Sequence, residues 1–407
     1  MKYVLNFREV TYALSEALDY VGIDDTMHGK RVGYMSAEVA KRLGWSSERI
    51  DRILLIGMLH DCGVSSTDVH HHLVSELDWD NSQTHCIRGA SLLKKVPFYT
   101  DYTDVILYHH THWDELSSSL PLETKEEANL IYLTDRVDAL RVQLGSTTLQ
   151  EKANVRATIQ KYAGEMFAPE LVDAFVEVSL ADSFWYYLEI ESLEGYYDEW
   201  INLTEPSDVL FDDLKSVAMM FADVVDAKSP FTSKHTYGVA ALARHLSGLY
   251  GLSERQQERI ELAAFFHDLG KLRVADAILH KAGPLNEEER SQMNRHGFDS
   301  NMILRKIKGF HEIAQIASMH HETLDAKGYP YHLHGDQIPT EARILAIADI
   351  FQALVQDRPY RMGMSAEAAL GVLDSMRDDL KLDGSIVEIV RQNLESCYRW
   401  AIVSENV

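Results

Sequence analysis

The chain carries one pattern of histidines and aspartates twice, and this repeat limits the fold more than any other feature of the sequence. In the first half, His28 is followed by His60-Asp61, His85, His109-His110 and Asp135; in the second, His235 is followed by His267-Asp268, His296, His320-His321 and Asp349. In both halves 32 residues separate the first histidine from the His-Asp pair, and 24 separate the lone histidine from the His-His pair. The other two intervals differ, 25 against 29 and 25 against 28, as loops of variable length would. Gly44 and Ser46 fall opposite Gly251 and Ser253, and Ile53 opposite Ile260, at an offset of 207. With 19 histidines in the chain, a lone His-His or His-Asp pair means little. Two seven-residue sets in one order mean a duplicated unit. A chain of 407 residues has room for two cores, which we expect over 1–195 and 196–407.

Local signals are helical. Residues 28–43 place Val32, Met35, Val39 and Leu43 at helical spacing before Gly44, and 235–250 run to Gly251 in the same way. Ser253 with Gln256 reads as a capping box opening a helix that delivers His267-Asp268 at its end. Asn286 ahead of three glutamates reads as another helix start. Nothing alternates like a sustained strand, so the expected class is all-α. The aromatic-rich stretch 183–210 is expected to be a connecting helix whose aromatics pack between the two units. His70-His71-His72 has no counterpart in the repeat and is expected in a solvated loop.

Bulk properties exclude several functions. The formal charge of −24 opposes duplex nucleic acid, whose non-specific binding needs Lys and Arg to displace counterions. A small anionic ligand is still admissible if Lys271, Arg343, Arg358 and Arg361 gather in one pocket. No apolar run is long enough to span a bilayer, and MKYVLNFREV is not a secretory signal. Three scattered cysteines, Cys62, Cys86 and Cys397, fit reduced thiols in a cytoplasmic protein.

Imidazoles and carboxylates without thiolates suit Mn, Fe, Ni or Zn in an open catalytic site. His235, His267, Asp268 and Asp349 already fill one ion's needs, which leaves His296, His320 and His321 for a second. Asp268 is suited to bridge, because a carboxylate has two oxygens. Two cations about 3.5–4 Å apart can share a hydroxide and hold both the attacking and leaving oxygens at phosphorus. Lys271, one turn after Asp268, is read as a stabiliser of the transition state or a donor to the leaving oxygen; the first half has Val64 there.

HDLGK (267–271), HHETLDAKGYP (320–330) and IPTEARILAIADIFQALVQDRPYR (338–361) resemble the HD-GYP family of bacterial phosphodiesterases. That resemblance implies an α-helical HD fold, two or three metals, and hydrolysis of cyclic dinucleotides to linear products. It maps ligand roles onto His235, His267, Asp268, His296, His320, His321 and Asp349, with Lys271 assisting. It places the Gly328-Tyr329-Pro330 loop at the pocket or against partner proteins, and Arg343, Arg358 and Arg361 near substrate. Some members hold a third metal with an acidic residue four positions before the first histidine. Here that position is Phe231, so two divalent ions, Fe, Mn or Ni foremost, are expected. The family's glycine after the motif aspartate is Ala326.

The first half keeps every ligand type (His28, His60, Asp61, His85, His109, His110, Asp135), with Asp24 four residues ahead. It lacks both the lysine and the Gly-Tyr-Pro segment, so it is expected to be a degenerate HD domain that does not hydrolyse substrate, with its ligand set a candidate second metal site. The tandem arrangement also resembles members acting on 3',3'-cyclic GMP-AMP, with cyclic di-GMP still open. A homodimer or a partner signalling protein is the expected assembly. The competing readings are another HD-type nucleotide phosphohydrolase and a non-catalytic metal-binding protein.

Overall fold

In a computed structural model the chain divides into two compact units, Asn6–Ser207 and Asp208–Val407, with Met1–Leu5 belonging to the second. The structure describes residues 2–22, 27–79, 81–228, 235–357 and 362–402. The helix Ile190–Asn202, through which the expected 195/196 boundary runs, lies wholly in the N-terminal unit.

Both units are helical. In the N-terminal unit, the helix His28–Arg42 packs against Ser47–Leu59 and against the long helix Leu122–Leu144. Leu122–Leu144 is the core element, with Leu130, Ile131, Leu133 and Val137 fully buried. The C-terminal unit repeats the plan: His235–Tyr250 packs on Glu254–Phe266 and on Thr340–Val355, whose Ile344, Leu345, Ile347 and Phe351 are inaccessible. Gly44 and Gly251 adopt φ of 72° and 91° just past the two first helices, where a left-handed residue ends the helix. Capping boxes at Ser253 and Asn286 close as the sequence indicates.

Three local features differ from expectation. Lys2–Leu5 and Ser207–Leu210 pair as a two-stranded sheet, in which Tyr3 and Leu5 turn inward and Lys2 and Val4 outward. Four residues are too few to show as a period-2 signal. His70-His71-His72 lies on a helix, Thr67–Ser75, because Ser66 caps it by accepting from the Val69 amide. The 183–210 aromatics pack on the N-terminal unit's own helices. Tyr197 donates its hydroxyl to Lys30 O at 2.8 Å, and Tyr196 meets Tyr34 edge to face.

Candidate metal centre

In the C-terminal unit the seven expected ligands converge from five helices or helix ends. His235 opens its helix, His267 caps Glu254–Phe266, and His296 opens His296–Leu304. His320 and His321 follow His311–Ser318, and Asp349 projects from Thr340–Val355. Gly270 makes the convergence sterically feasible. A Cβ there would lie 2.2 Å from the His296 carbonyl oxygen, so only glycine lets the 268–270 turn lie against the start of the next helix.

The ring nitrogens facing away from the centre fix the tautomers. Nδ1 of His267, His296 and His320 donates to the carbonyls of Ala264, Met293 and Ala317, each at 2.6 Å and three residues back. Nδ1 of His235 lies 2.6 Å from Oε1 of Gln352, which can only accept. Each neutral imidazole therefore turns a bare Nε2 inward. There these atoms meet one another and two carboxylates. His296 Nε2 stands 3.2 Å from His320 Nε2, and His235 Nε2 3.1 Å from Asp349 Oδ1. Asp268 divides its oxygens: Oδ2 lies 3.4 Å from His267 Nε2, while Oδ1 lies 3.5 Å from His296 Nε2 and 3.9 Å from His320 Nε2. Three sets, His235/His267/Asp268, His267/His320/Asp349 and His296/His320/His321, each bring their donors within 4.8 Å.

Electrostatics keep most of these groups in their ligand forms, with His235 the exception. Burial, opposed by Asp268, holds His296 down at about 3; burial with His267 holds His320 at about 4. Burial and the neighbouring imidazoles hold His321 well below its usual value. Burial pushes the Asp268 carboxyl up, but His267, Lys271, His296 and His320 overcome it and keep it well below the usual range. His235 is raised despite its burial, through its bond to Asp349 and the charges of Asp349 and Asp268. Asp268 Oδ1, fully buried, has no hydrogen bond. An orphaned carboxylate oxygen among bare imidazole nitrogens costs several kcal/mol without a cation, since even neutral orphans cost about 1–3 kcal/mol. The donor set fits divalent ions.

The rim is partly as expected. Lys271 Nζ donates to Asp268 Oδ2 at 2.5 Å, and the side chain is 23% exposed, so it reaches both carboxylate and solvent. Tyr329 lays its ring against His321 at 4.7 Å between centroids. Arg343 is otherwise engaged: its guanidinium donates to Ile338 O, Gly335 O and Asp383 Oδ2. It staples the 335–338 turn to the segment opening the helix Gly384–Gln392, which engages three of its five N–H donors. Arg358, Arg361, Phe231 and Asp24 lie outside the described residues.

The N-terminal unit repeats the convergence. His28 Nε2 stands 3.3 Å from Asp135 Oδ1 and 3.7 Å from Asp61 Oδ2; His60 Nε2 is 3.4 Å from Asp61 Oδ2, and His85 Nε2 is 3.5 Å from Asp61 Oδ1. His110 Nε2 lies 3.4 Å from Asp135 Oδ2. Val64 is buried where Lys271 would be. The first histidine is held by a carboxylate instead of an amide, with Asp138 Oδ2 2.9 Å from His28 Nδ1. A buried Arg136 binds Asp135 at 2.7 Å.

The HD domain model matches residues 27–140 and again 219–386. A curated relative, 3'3'-cGAMP-specific phosphodiesterase 1 of Vibrio cholerae serotype O1, is 37% identical over 98% of this chain and 94% of its own length. The chain belongs to the HD-GYP family of cyclic dinucleotide phosphodiesterases. Another HD-GYP relative, the cyclic di-GMP phosphodiesterase response regulator RpfG of Xanthomonas campestris pv. campestris, is 42% identical over 33% of this chain and 38% of its own. The crystal structure of a V. cholerae cyclic GMP-AMP specific phosphodiesterase shares the fold, with TM-score 0.66 and 22% identity over 97% of this chain and 98% of that one. HD domains are metal-dependent, and both HD units here hold candidate ligand groups.

Two residues of this HD-GYP chain escape a search for ligands alone, Gln352 and Asp138. Each sits one helical turn after the unit's last aspartate, Asp349 or Asp135, and orients the first histidine. The i, i+3 spacing was the available signal. Glu322 is a third: its buried carboxylate accepts the amides of Tyr331 and Leu333 and so pins the Gly-Tyr-Pro loop beside His321.

Proposed function

We propose that the C-terminal unit hydrolyses cyclic dinucleotides to linear ones, with 3',3'-cyclic GMP-AMP as the first substrate to test and cyclic di-GMP as the second. The carrying observation is the inward ring of bare Nε2 atoms around Asp268, whose two oxygens face different histidines. His235, His267, Asp268 and Asp349 would hold one ion, and Asp268, His296, His320 and His321 another. Divalent ions bound there would supply a water-derived nucleophile at neutral pH and positive charge for the phosphoryl oxygens.

The chain's own groups do the rest. Histidines anchored from behind keep the donors fixed, so no reorganisation is needed as charge develops. Lys271 balances Asp268 and lies at the rim, where its ammonium meets the scissile phosphate and can give a proton to the departing ribose oxygen. Water's oxygen bonds to phosphorus as its proton leaves to solvent, one P–O ester bond breaks, and the leaving oxygen takes a proton from Lys271, which solvent then restores. Tyr329, whose phenol is pushed well up by burial and by Asp268 and Asp349, stays protonated and walls the site beside His321.

The test is product analysis with both cyclic dinucleotides and metal content measured on the same sample. Asp268→Ala should abolish turnover, by more than ~10³-fold, and Lys271→Ala should cost ~10²–10³-fold with metal retained. Turnover surviving in a metal-free, folded Asp268→Ala chain would falsify the assignment.

A further inference from the structure

The N-terminal unit contains a donor that its C-terminal counterpart lacks. Cys86 follows His85 where Gly297 follows His296. In the C-terminal unit that position has no room for a side chain, since a Cβ on Gly297 would stand 2.8 Å from the Ser318 carbonyl and 3.5 Å from Pro330 of the Gly-Tyr-Pro loop. The N-terminal unit has no such loop, and Cys86 is fully buried within its site. Its Sγ lies 3.8 Å from His85 Nε2, which in turn lies 3.2 Å from His109 Nε2 and 3.5 Å from Asp61 Oδ1.

These separations are those of donors around a single ion. With metal–nitrogen bonds of about 2.0–2.1 Å and metal–sulfur of about 2.3 Å, tetrahedral edges run about 3.3 Å between nitrogens and about 3.6 Å from nitrogen to sulfur. His85, Cys86 and His109 form one of the triads whose donors all lie within 4.8 Å; in the C-terminal unit the corresponding triad is His296, His320 and His321.

A buried cysteine also rests comfortably on a helix carbonyl, and Cys86 Sγ lies 3.5 Å from Ser82 O. What that reading leaves unexplained is the rest of the pocket. Nε2 of His60 and Nε2 of His110, both buried and aimed at Asp61 and Asp135, have no hydrogen bond. One proton can serve the facing pair His85 and His109, but not these two as well.

We propose that the N-terminal unit binds a thiophilic divalent ion of the zinc class through Cys86 thiolate with His85 and His109. The site differs in kind from the oxygen-and-imidazole centre of the C-terminal unit, and the inference stands apart from the hydrolytic reading above. On binding, a metal–sulfur bond replaces the S–H bond and the proton leaves to water. Thiolate selects zinc over manganese or magnesium.

Cobalt(II) loaded into the metal-free full-length chain reads this directly, because a thiolate ligand gives a near-ultraviolet sulfur-to-cobalt charge-transfer band. The expected result is a band that Cys62→Ser and Asp268→Ala retain and Cys86→Ser loses, with circular dichroism verifying the fold of each. No band, or one that survives Cys86→Ser, overturns the proposal. Should Cys86→Ser not fold, X-ray absorption on the zinc-loaded Cys62→Ser chain decides. A sulfur scatterer at about 2.3 Å supports the site, and a shell of nitrogen and oxygen alone overturns it.

Discussion

Gln352 holds His235 by a single hydrogen bond at 2.6 Å and touches no other expected ligand of the centre. Replacing it by leucine keeps its bulk but leaves the His235 Nδ1–H buried and unmatched. The ring is then free to turn, and outer groups of this sort are worth about 10–100-fold in metal affinity. We expect Gln352→Leu to weaken binding by that factor, read by metal titration, and Gln352→Glu to restore most of it. Ala326 offers a second prediction. Its φ of 60° is left-handed, a region that glycine adopts without strain. Ala326→Gly should raise the unfolding free energy by about 0.5–1 kcal/mol, relief of strain exceeding the added chain entropy. Which residues converge was legible at this scale because few residue types bind metal and the repeat singled out their positions. The bonds of Arg343 to Ile338, Gly335 and Asp383 were not, since basicity says nothing about which acceptors a guanidinium meets. Cys86 was passed over because cysteines were weighed by count and spacing, whereas its adjacency to His85 was the informative fact.

Helix ends do most of the positioning. Four histidines, His60, His109, His267 and His320, lie at or just past the C-terminal ends of helices, where carbonyls point outward and the dipole favours positive charge. Helix starts and stops were readable from Gly44, Gly251, Ser253 and Asn286. The close approach permitted by Gly270 was not, because the clash it avoids is with a residue 26 positions away. These elements bury neutral imidazoles, which sets a pH dependence. His109, His110, His267, His296, His320 and His321 have pKa values depressed by burial, from a usual 6.5. The unfolded chain therefore takes up protons first as pH falls below 6.5, so each contributes stability above that value that is lost on acidification. His28 and His235 are raised and act in the opposite sense, but they are fewer. Metal-free protein should lose stability steadily from about pH 6.5 to 4, at on the order of 1.4 kcal/mol per pH unit for each net proton. Urea midpoints across that range measure it, and a flat profile would contradict the burial assigned here.

At the scale of the molecule, two units of one ancestry carry two ligand sets. Metal binds only where the set is assembled, so chelation should lower the melting temperature and re-addition restore it, by an amount that grows with free metal concentration. Replacing both His60 and Asp61 with alanine should leave hydrolysis by the C-terminal unit in place while removing metal from the N-terminal one, as metal content and product analysis on the same folded sample would show. Among the described residues no helix is long and apolar enough to cross a membrane. The duplication was visible in the sequence because its intervals are set by helix lengths, which insertion tolerates poorly. The exact seam was not, since aromatic content at 183–210 does not reveal which unit the aromatics cover.

Five of the ten imidazoles, those of His60, His109, His267, His296 and His320, are tethered to main-chain oxygens, and a main-chain oxygen is present whatever residue evolution installs there. Substitution can detune such a tether only by moving the backbone. The first histidine of each unit differs from these, because its tether is a side chain, an amide in one copy and a carboxylate in the other. Each duplicate thus has one adjustable dial for ligand strength, and after duplication the two dials were set differently.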